Sequence, residues 1–134
     1  MKLLFVCVKN SSRSQMAEAL VKLSRANGFE AYSAGVDPGE CVHPNAVKVM
    51  QEIGYDLGAH ECKHLSAFKK MTFDFVAKMD VADLGDAVKA KWIETWNVPD
   101  PAQGDVEHFR AVRDLLADRV EALLDRFHDG RQAA

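Results

Sequence analysis

Closely spaced cysteine pairs, membrane-length apolar runs and an excess of basic charge are all missing from this sequence, and each absence removes a class of function. The three cysteines, Cys7, Cys41 and Cys62, are odd in number and far apart. Neither a disulfide framework nor a paired-cysteine zinc knuckle is therefore expected. Free thiols suit a reducing compartment, so a cytoplasmic location is expected. The apolar run at the start, Leu3 to Val8, is too short for a membrane span, and no small-residue cleavage pattern follows it. Net charge is −3, the wrong sign for binding nucleic acid or an anionic membrane, which relies on basic patches that displace counterions. A single positive cleft is still compatible with that balance. Internal repeats, low-complexity tracts and linker-like stretches are absent too, so residues 1–134 read as one domain.

What is present is a strand and helix pattern. Leu3 to Val8 is continuously apolar, as in a strand buried on both faces. From Ser14 the period becomes helical, with Met16, Leu20 and Leu23 on one face and Asn27-Gly28 as the stop. Glu30 to Ser33 reads as a short strand before the turn Ala34-Gly35. A second helix follows Pro44, with Ala46, Val49, Met50 and Ile53 facing inward and Gly54 closing it. Phe73 to Met79 and, more weakly, Lys91 to Trp96 are further strands. A long helix spans about Val106 to Phe127, with Val106, Phe109, Val112, Leu116, Val120, Leu123 and Phe127 as its apolar stripe. Strands separated by helices imply an α/β fold with a parallel sheet, whose sites lie at the carboxyl ends of the strands. Cys7 and the loop around Asp100 both fall at that edge.

The loop Val8 to Ser12 joins the first strand to the first helix. Backbone N–H groups in such a loop converge on one point, and the helix N-terminus adds its positive end. Arg13 contributes a planar fork that grips two oxygens of a bound anion. The expected oxyanion cradle is Val8, Lys9, Asn10, Ser11, Ser12, Arg13 and Ser14. Cys7, at its base, is expected to be held as a thiolate and to act as a nucleophile near neutral pH. Ser14 suits a hydroxyl donor to that sulfur, and Asn10 a left-handed loop residue. Asp100, before Pro101, suits a general acid. A thiol with an arginine six residues on is common by chance; the strand before it and the helix after it give it meaning.

The run Cys7 to Ser14, then Ser33-Ala34-Gly35, Val42-His43-Pro44 and Asp100-Pro101, in that order, resemble the low-molecular-weight tyrosine phosphatases and the arsenate reductases that share their fold. The resemblance covers almost the whole chain. It implies a three-layer α/β fold with a four-stranded parallel sheet flanked by helices. It also implies Cys7 as nucleophile, Arg13 as oxyanion clamp and Asp100 as general acid. Arg13-Ser14-Gln15-Met16-Ala17-Glu18 looks like the reductase branch, because the phosphatases have proline where Gln15 stands. Phosphatases also carry aromatic residues after the Asp-Pro, whereas this chain continues Ala102-Gln103-Gly104. Val112-Arg113-Asp114 is similar to the reductases as well. The implied activity is reduction of arsenate to arsenite. Hydrolysis of phosphate monoesters through a Cys7 thiophosphate is the alternative, and a non-catalytic oxyanion binder is a third reading.

The sequence departs from the reductase pattern in two places. Reductases that use thioredoxin are expected to carry two further cysteines after the third strand, and Lys78 to Asp86 contains none. The thiol that resolves Cys7 is then Cys62, Cys41 or an external reductant such as a glutaredoxin, mycothiol or thioredoxin system. Asn10, Glu18 and Ser33 match a potassium site of some reductases, but Lys63 stands where an aspartate is expected. Its ammonium is expected to replace the cation, so no potassium dependence, metal or cofactor is expected. The cluster His60, Cys62 and His64, with Cys41 and His43 upstream, reads as loop rather than a zinc site. Trp92 and Trp96 read as packing residues and Lys69-Lys70 as solvated surface. The expected partners are a small oxyanion and a redoxin or small thiol, with the protein a monomer.

Overall fold

The apolar opening becomes the centre of a sheet. The computed structural model describes the backbone of residues 1–133 and the side chains of residues 1–127. Its elements begin with β1 (Lys2–Cys7), α1 (Arg13–Ser24), β2 (Glu30–Gly35) and α2 (Pro44–Gln51). They continue with β3 (Thr72–Phe73), β4 (Phe75–Lys78), β5 (Lys89–Ala90), β6 (Ile93–Thr95) and α3 (Val106–Ala133). The main sheet is parallel throughout in the order β2-β1-β4-β6, with Cys7 level with Gly35. Strand β1 is central and buried from Leu3 to Cys7, which explains why its apolar residues do not alternate.

The two faces of the sheet are covered differently. Leu3, Phe5, Cys7, Phe75 and Ala77 pack against the inner faces of α1, α2 and α3. Leu4, Val6, Ala34 and Val76 pack against Leu65, Phe73, Leu84 and Val88, which come from single-turn 3-10 helices and from the β3-β5 side of the molecule. The three layers are thus unequal, with all the α-helices among the described residues on one side. Helix α3 buries Phe109, Val112, Leu116, Val120 and Leu123, as its stripe predicts. Burial of a ring such as Phe109 contributes about 1.5–3 kcal/mol. No described helix is long and apolar enough to cross a membrane.

Several sequence expectations shift. Helix α1 ends at Ser24, where Arg25 takes the left-handed conformation (φ 56°) and its N–H bonds Lys22 O, so Asn27-Gly28 is not the stop. Helix α2 ends at Gln51, which leaves Ile53 on the surface rather than on the inner face. The strand expected from Phe73 to Met79 is split at Asp74, whose carboxylate and N–H both bond the backbone of Lys2. Trp96 packs in the core, but Trp92 is 55% exposed and lies under the Arg126 guanidinium. An indole with a cation for a neighbour needs no core.

Candidate active site

Strand β1 ends at Cys7, and the chain from Val8 to Ser12 curls back to start α1. Asn10 takes the left-handed backbone (φ 53°) that this curl needs. Gly35, the partner of Cys7 in β2, sits beneath the curl. A Cβ there would meet Val8 O at 2.7 Å and Asn10 N at 2.9 Å, so only glycine lets the loop lie this close to the sheet. The pocket so formed is about 40 Å³, lined by Cys7, Val8, Lys9, Ser11, Ser12, Arg13, Asp100 and Ala102. A single water needs roughly 10–15 Å³, so the pocket holds only a few atoms, the size of one tetrahedral oxyanion. An open groove of about 390 Å³ between α1 and α3 is larger, but no thiol or basic side chain lines it.

The polar groups of the pocket converge. Ser12, at the N-cap of α1, makes no capping bond, and its buried Oγ has no hydrogen-bond partner among the described residues. A buried hydroxyl without a partner is costly unless a ligand supplies one. Together with the N–H groups of the first turn it suits an anion. Arg13 is 4% exposed and its fork is shared out. Nη1 donates to Asp80 Oδ2 at 2.7 Å and to Val98 O at 2.9 Å, while Nη2 lies 3.7 Å from Asp100 Oδ2. Asp100 caps its own turn by accepting from Ala102 N at 3.0 Å. Thus the structure brings Cys7, Arg13 and Asp100 together, as expected. Asp80, at the end of β4 in a left-handed conformation (φ 55°), is a participant the sequence reading missed. Its only signal was its place at the carboxyl edge of a strand.

Asn10 and Ser14 stand behind the pocket rather than in its wall. Ser14 Oγ lies 2.9 Å from Cys7 Sγ and accepts from Asn10 Nδ2 at 2.8 Å, so its hydroxyl hydrogen is available to the sulfur when Cys7 is a thiolate. Asn10 Oδ1 accepts from Lys63 N and from Gln15 Nε2, both at 2.9 Å. Gln15, fully buried, also donates to Glu61 O at 2.9 Å, and its Oε1 lies 2.8 Å from His60 Nδ1. These bonds assign the His60 proton to Nδ1, with Nε2 accepting from Tyr55 OH at 2.7 Å. Burial pushes His60 below the ordinary imidazole value, against the pull of Glu18 3.8 Å away.

This network corrects the expectation for Lys63. Its ammonium donates to Glu61 O, and it is its backbone N–H that reaches Asn10. The cation beside Glu18 is Lys22, 2.5 Å from Oε2, while Ser33 Oγ donates to Oε1 at 2.5 Å. With these oxygens taken by protein donors, the set Asn10, Glu18 and Ser33 does not fit a metal ion. No group of three or more His, Cys, Asp or Glu among the described residues could hold one elsewhere. Cys41 is exposed and Cys62 half-buried, both free.

An anion loop between the central strand and first helix of a parallel sheet, with a thiol at its floor and an arginine at its rim, defines a class of small α/β proteins. Residues 2–133 match the low molecular weight phosphotyrosine protein phosphatase family, and the chain belongs to it. It is similar to the glutaredoxin arsenate reductase of Synechocystis sp., 33% identical over 128 residues that cover 92% of this chain and 95% of the relative. Among solved structures it resembles an arsenate reductase in the phosphate binding state, with a TM-score of 0.84 at 32% identity over 93% of this chain and 97% of that one. It also resembles the YwlE arginine phosphatase from Geobacillus stearothermophilus, with a TM-score of 0.81 at 25% identity over 98% and 96% of the two chains.

Proposed function

We propose that the protein reduces arsenate to arsenite, with Cys7 as the nucleophile. The observation that carries this reading is the pocket itself. It has room for one tetrahedral anion above a thiol, and Ala102 rather than an aromatic ring stands at its rim. A phosphotyrosine ring would find no wall to stack on, whereas a bare oxyanion needs none. The similarity to an arsenate reductase over nearly the full length of both chains supports the same branch.

The chemistry follows from the geometry. The Cys7 thiolate attacks arsenic, forming an S–As bond, while an As–O bond breaks. Asp100 delivers the proton that turns the departing oxygen into water. The Arg13 fork, the Ser12 hydroxyl and the loop N–H groups hold the remaining oxygens. A second thiol then attacks the Cys7 sulfur. The S–S bond forms, and the S–As electron pair stays with arsenic, which leaves as arsenite. The electrons come in the end from a dithiol redoxin or a small thiol in a reducing cytoplasm; a relative named for glutaredoxin favours a redoxin.

The test is arsenite formation with glutaredoxin, mycothiol and thioredoxin systems supplied in turn. Wild type is expected to make arsenite with at least one of them and Cys7→Ser with none. Asp100→Asn is expected to be slower by about 10²–10⁴-fold, the usual worth of a general acid. No arsenite under any condition, alongside fast hydrolysis of aryl phosphates, would move the protein to the phosphatase branch.

A further inference from the structure

The pocket holds a second cation that the reaction scheme above leaves unused. Lys9 lines it beside Cys7 and Val8, yet its side chain is 61% exposed and its Nζ rests 3.6 Å from Asp37 Oδ2. That distance is beyond hydrogen-bond range, and Asp37 is itself 75% exposed, so the pair is screened and weak. The backbone nevertheless keeps the two residues side by side. Asp37 N donates to Val8 O and Gly39 N to Lys9 O, both at 2.9 Å, which ties residues 37–39 along the first half of the anion loop. Asp37 is therefore a standing partner for Lys9, close at hand but loosely held.

The other charges at the pocket are already matched. Arg13 faces Asp80 at 2.7 Å and Asp100 at 3.7 Å. A Cys7 thiolate adds one more negative charge at the floor. A doubly charged oxyanion entering the pocket thus meets loop N–H groups, but no fixed cation without a carboxylate beside it. A lysine ammonium is a point charge on a flexible four-carbon stem, so it turns from one anion to another without moving the backbone. Resting on the reading of the pocket as an arsenate site, we propose that Lys9 is a second, mobile binding residue for a dianionic oxyanion. Its ammonium leaves Asp37 for the outer oxygens of the bound anion, and Asp37 is the competitor that holds it off beforehand. The exchange replaces a long contact with a single charge by a contact with a dianion, so Coulomb attraction favours it. Arg13 is anchored before the anion arrives, whereas Lys9 closes on it afterwards.

The experiment is calorimetry of inorganic phosphate binding to the reduced full-length chain, at low salt and a mildly alkaline pH where phosphate is a dianion. Lys9→Met keeps the length of the stem but not the charge. It is expected to weaken binding by about 5- to 30-fold, the worth of one charge against a dianion at a wet site. Lys9→Arg is expected to stay within about threefold of wild type, since it keeps the charge. Asp37→Asn is expected to bind phosphate about 3- to 5-fold more tightly. In a Lys9→Met background the same substitution is expected to gain clearly less, because no ammonium is left to release. A loss in Lys9→Arg equal to that in Lys9→Met would overturn the proposal, since position rather than charge would then matter. So would an Asp37→Asn gain as large without Lys9 as with it, since the carboxylate would then act on the anion directly. Either result leaves the reductase reading standing. A wild type that binds phosphate but makes no arsenite with any thiol sinks that reading, while the phosphate cycle still decides on Lys9; a wild type that binds no phosphate overturns both.

Discussion

Arg13 Nη1 lies 2.7 Å from Asp80 Oδ2, so the arginine at the rim of the anion pocket is anchored by the end of the neighbouring strand. Asp80 and the Val98 carbonyl use one arm of the guanidinium, and the other arm is left facing Asp100 and the pocket. The anion does not have to order this side chain on arrival, which lowers the entropic cost of binding.

Asp80 is 62% exposed, so its charge is screened and its main role is to orient Arg13. Asp80→Ala is expected to lower kcat/KM for arsenate by about 3- to 10-fold, on the scale of one hydrogen bond to a charged group at a wet site. Asp80→Asn, which keeps an acceptor oxygen, is expected to lose less. Tighter phosphate binding in Asp80→Ala would show instead that its carboxylate competes with the anion.

Ser14 Oγ lies 2.9 Å from Cys7 Sγ and accepts from Asn10 Nδ2, and toward a Cys7 thiolate, which has no hydrogen to give, the hydroxyl is the donor. A hydrogen bond to a charged group contributes about 1.5–3 kcal/mol. Ser14→Ala is therefore expected to slow alkylation of Cys7 by iodoacetamide at neutral pH by about tenfold or more. Equal rates in the two proteins would remove Ser14 from the site.

Gly35→Ala would drive a methyl into Val8 O and Asn10 N, both backbone atoms that cannot rotate away. The loop must shift, and overpacking of this kind costs about 1–3 kcal/mol. The expected result is a lower melting temperature and loss of phosphate binding by calorimetry, with the helical circular dichroism retained. Wild-type affinity for phosphate would mean that the loop tolerates the displacement.

Glu52 joins α2 to α3 through Arg110 and Arg113, and Arg113 also donates to Val49 O at 2.9 Å. Hydrogen bonding from Arg110, then from Arg113, holds the Glu52 carboxyl at about 2, below its ordinary 4.5. A carboxyl depressed in the folded state stabilises above its unfolded value and loses that contribution as pH falls. The stability gap between wild type and Glu52→Gln is thus expected to be constant above about pH 5.5 and to shrink between about 4.5 and 2. Denaturant titrations across that range check it, and a gap independent of pH would rule the linkage out.

Much of this site was legible because its parts are local. The strand that ends at Cys7, the loop and the helix from Arg13 are contiguous, and a nest of N–H groups follows from that order alone. Gln15 was read as a mark of the reductase branch. The structure supplies a reason: its amide joins Asn10 O, Asn10 Oδ1 and Glu61 O, and proline has no group to do this. Lys63 was placed correctly beside Asn10 but assigned the wrong atom, since sequence position does not say whether a side chain or a backbone N–H makes a contact. Trp92 was misread because an exposed ring over a cation has the same sequence signal as a buried one.

The sequence by itself determined the alternation of strands and helices, the parallel sheet, and the meeting of Cys7, Arg13 and Asp100 at one edge. Apolar periodicity and chain order encode those features, and both survive without coordinates. Only the tertiary structure decided that Asp80 anchors Arg13, that Lys22 rather than Lys63 neutralises Glu18, and that Gly35 makes room for the loop. It also decided that the segments carrying Cys41 and Cys62 are both hydrogen-bonded to that loop. Each of these relations joins residues far apart in the chain, and the register and packing that bring them together are set by the whole core.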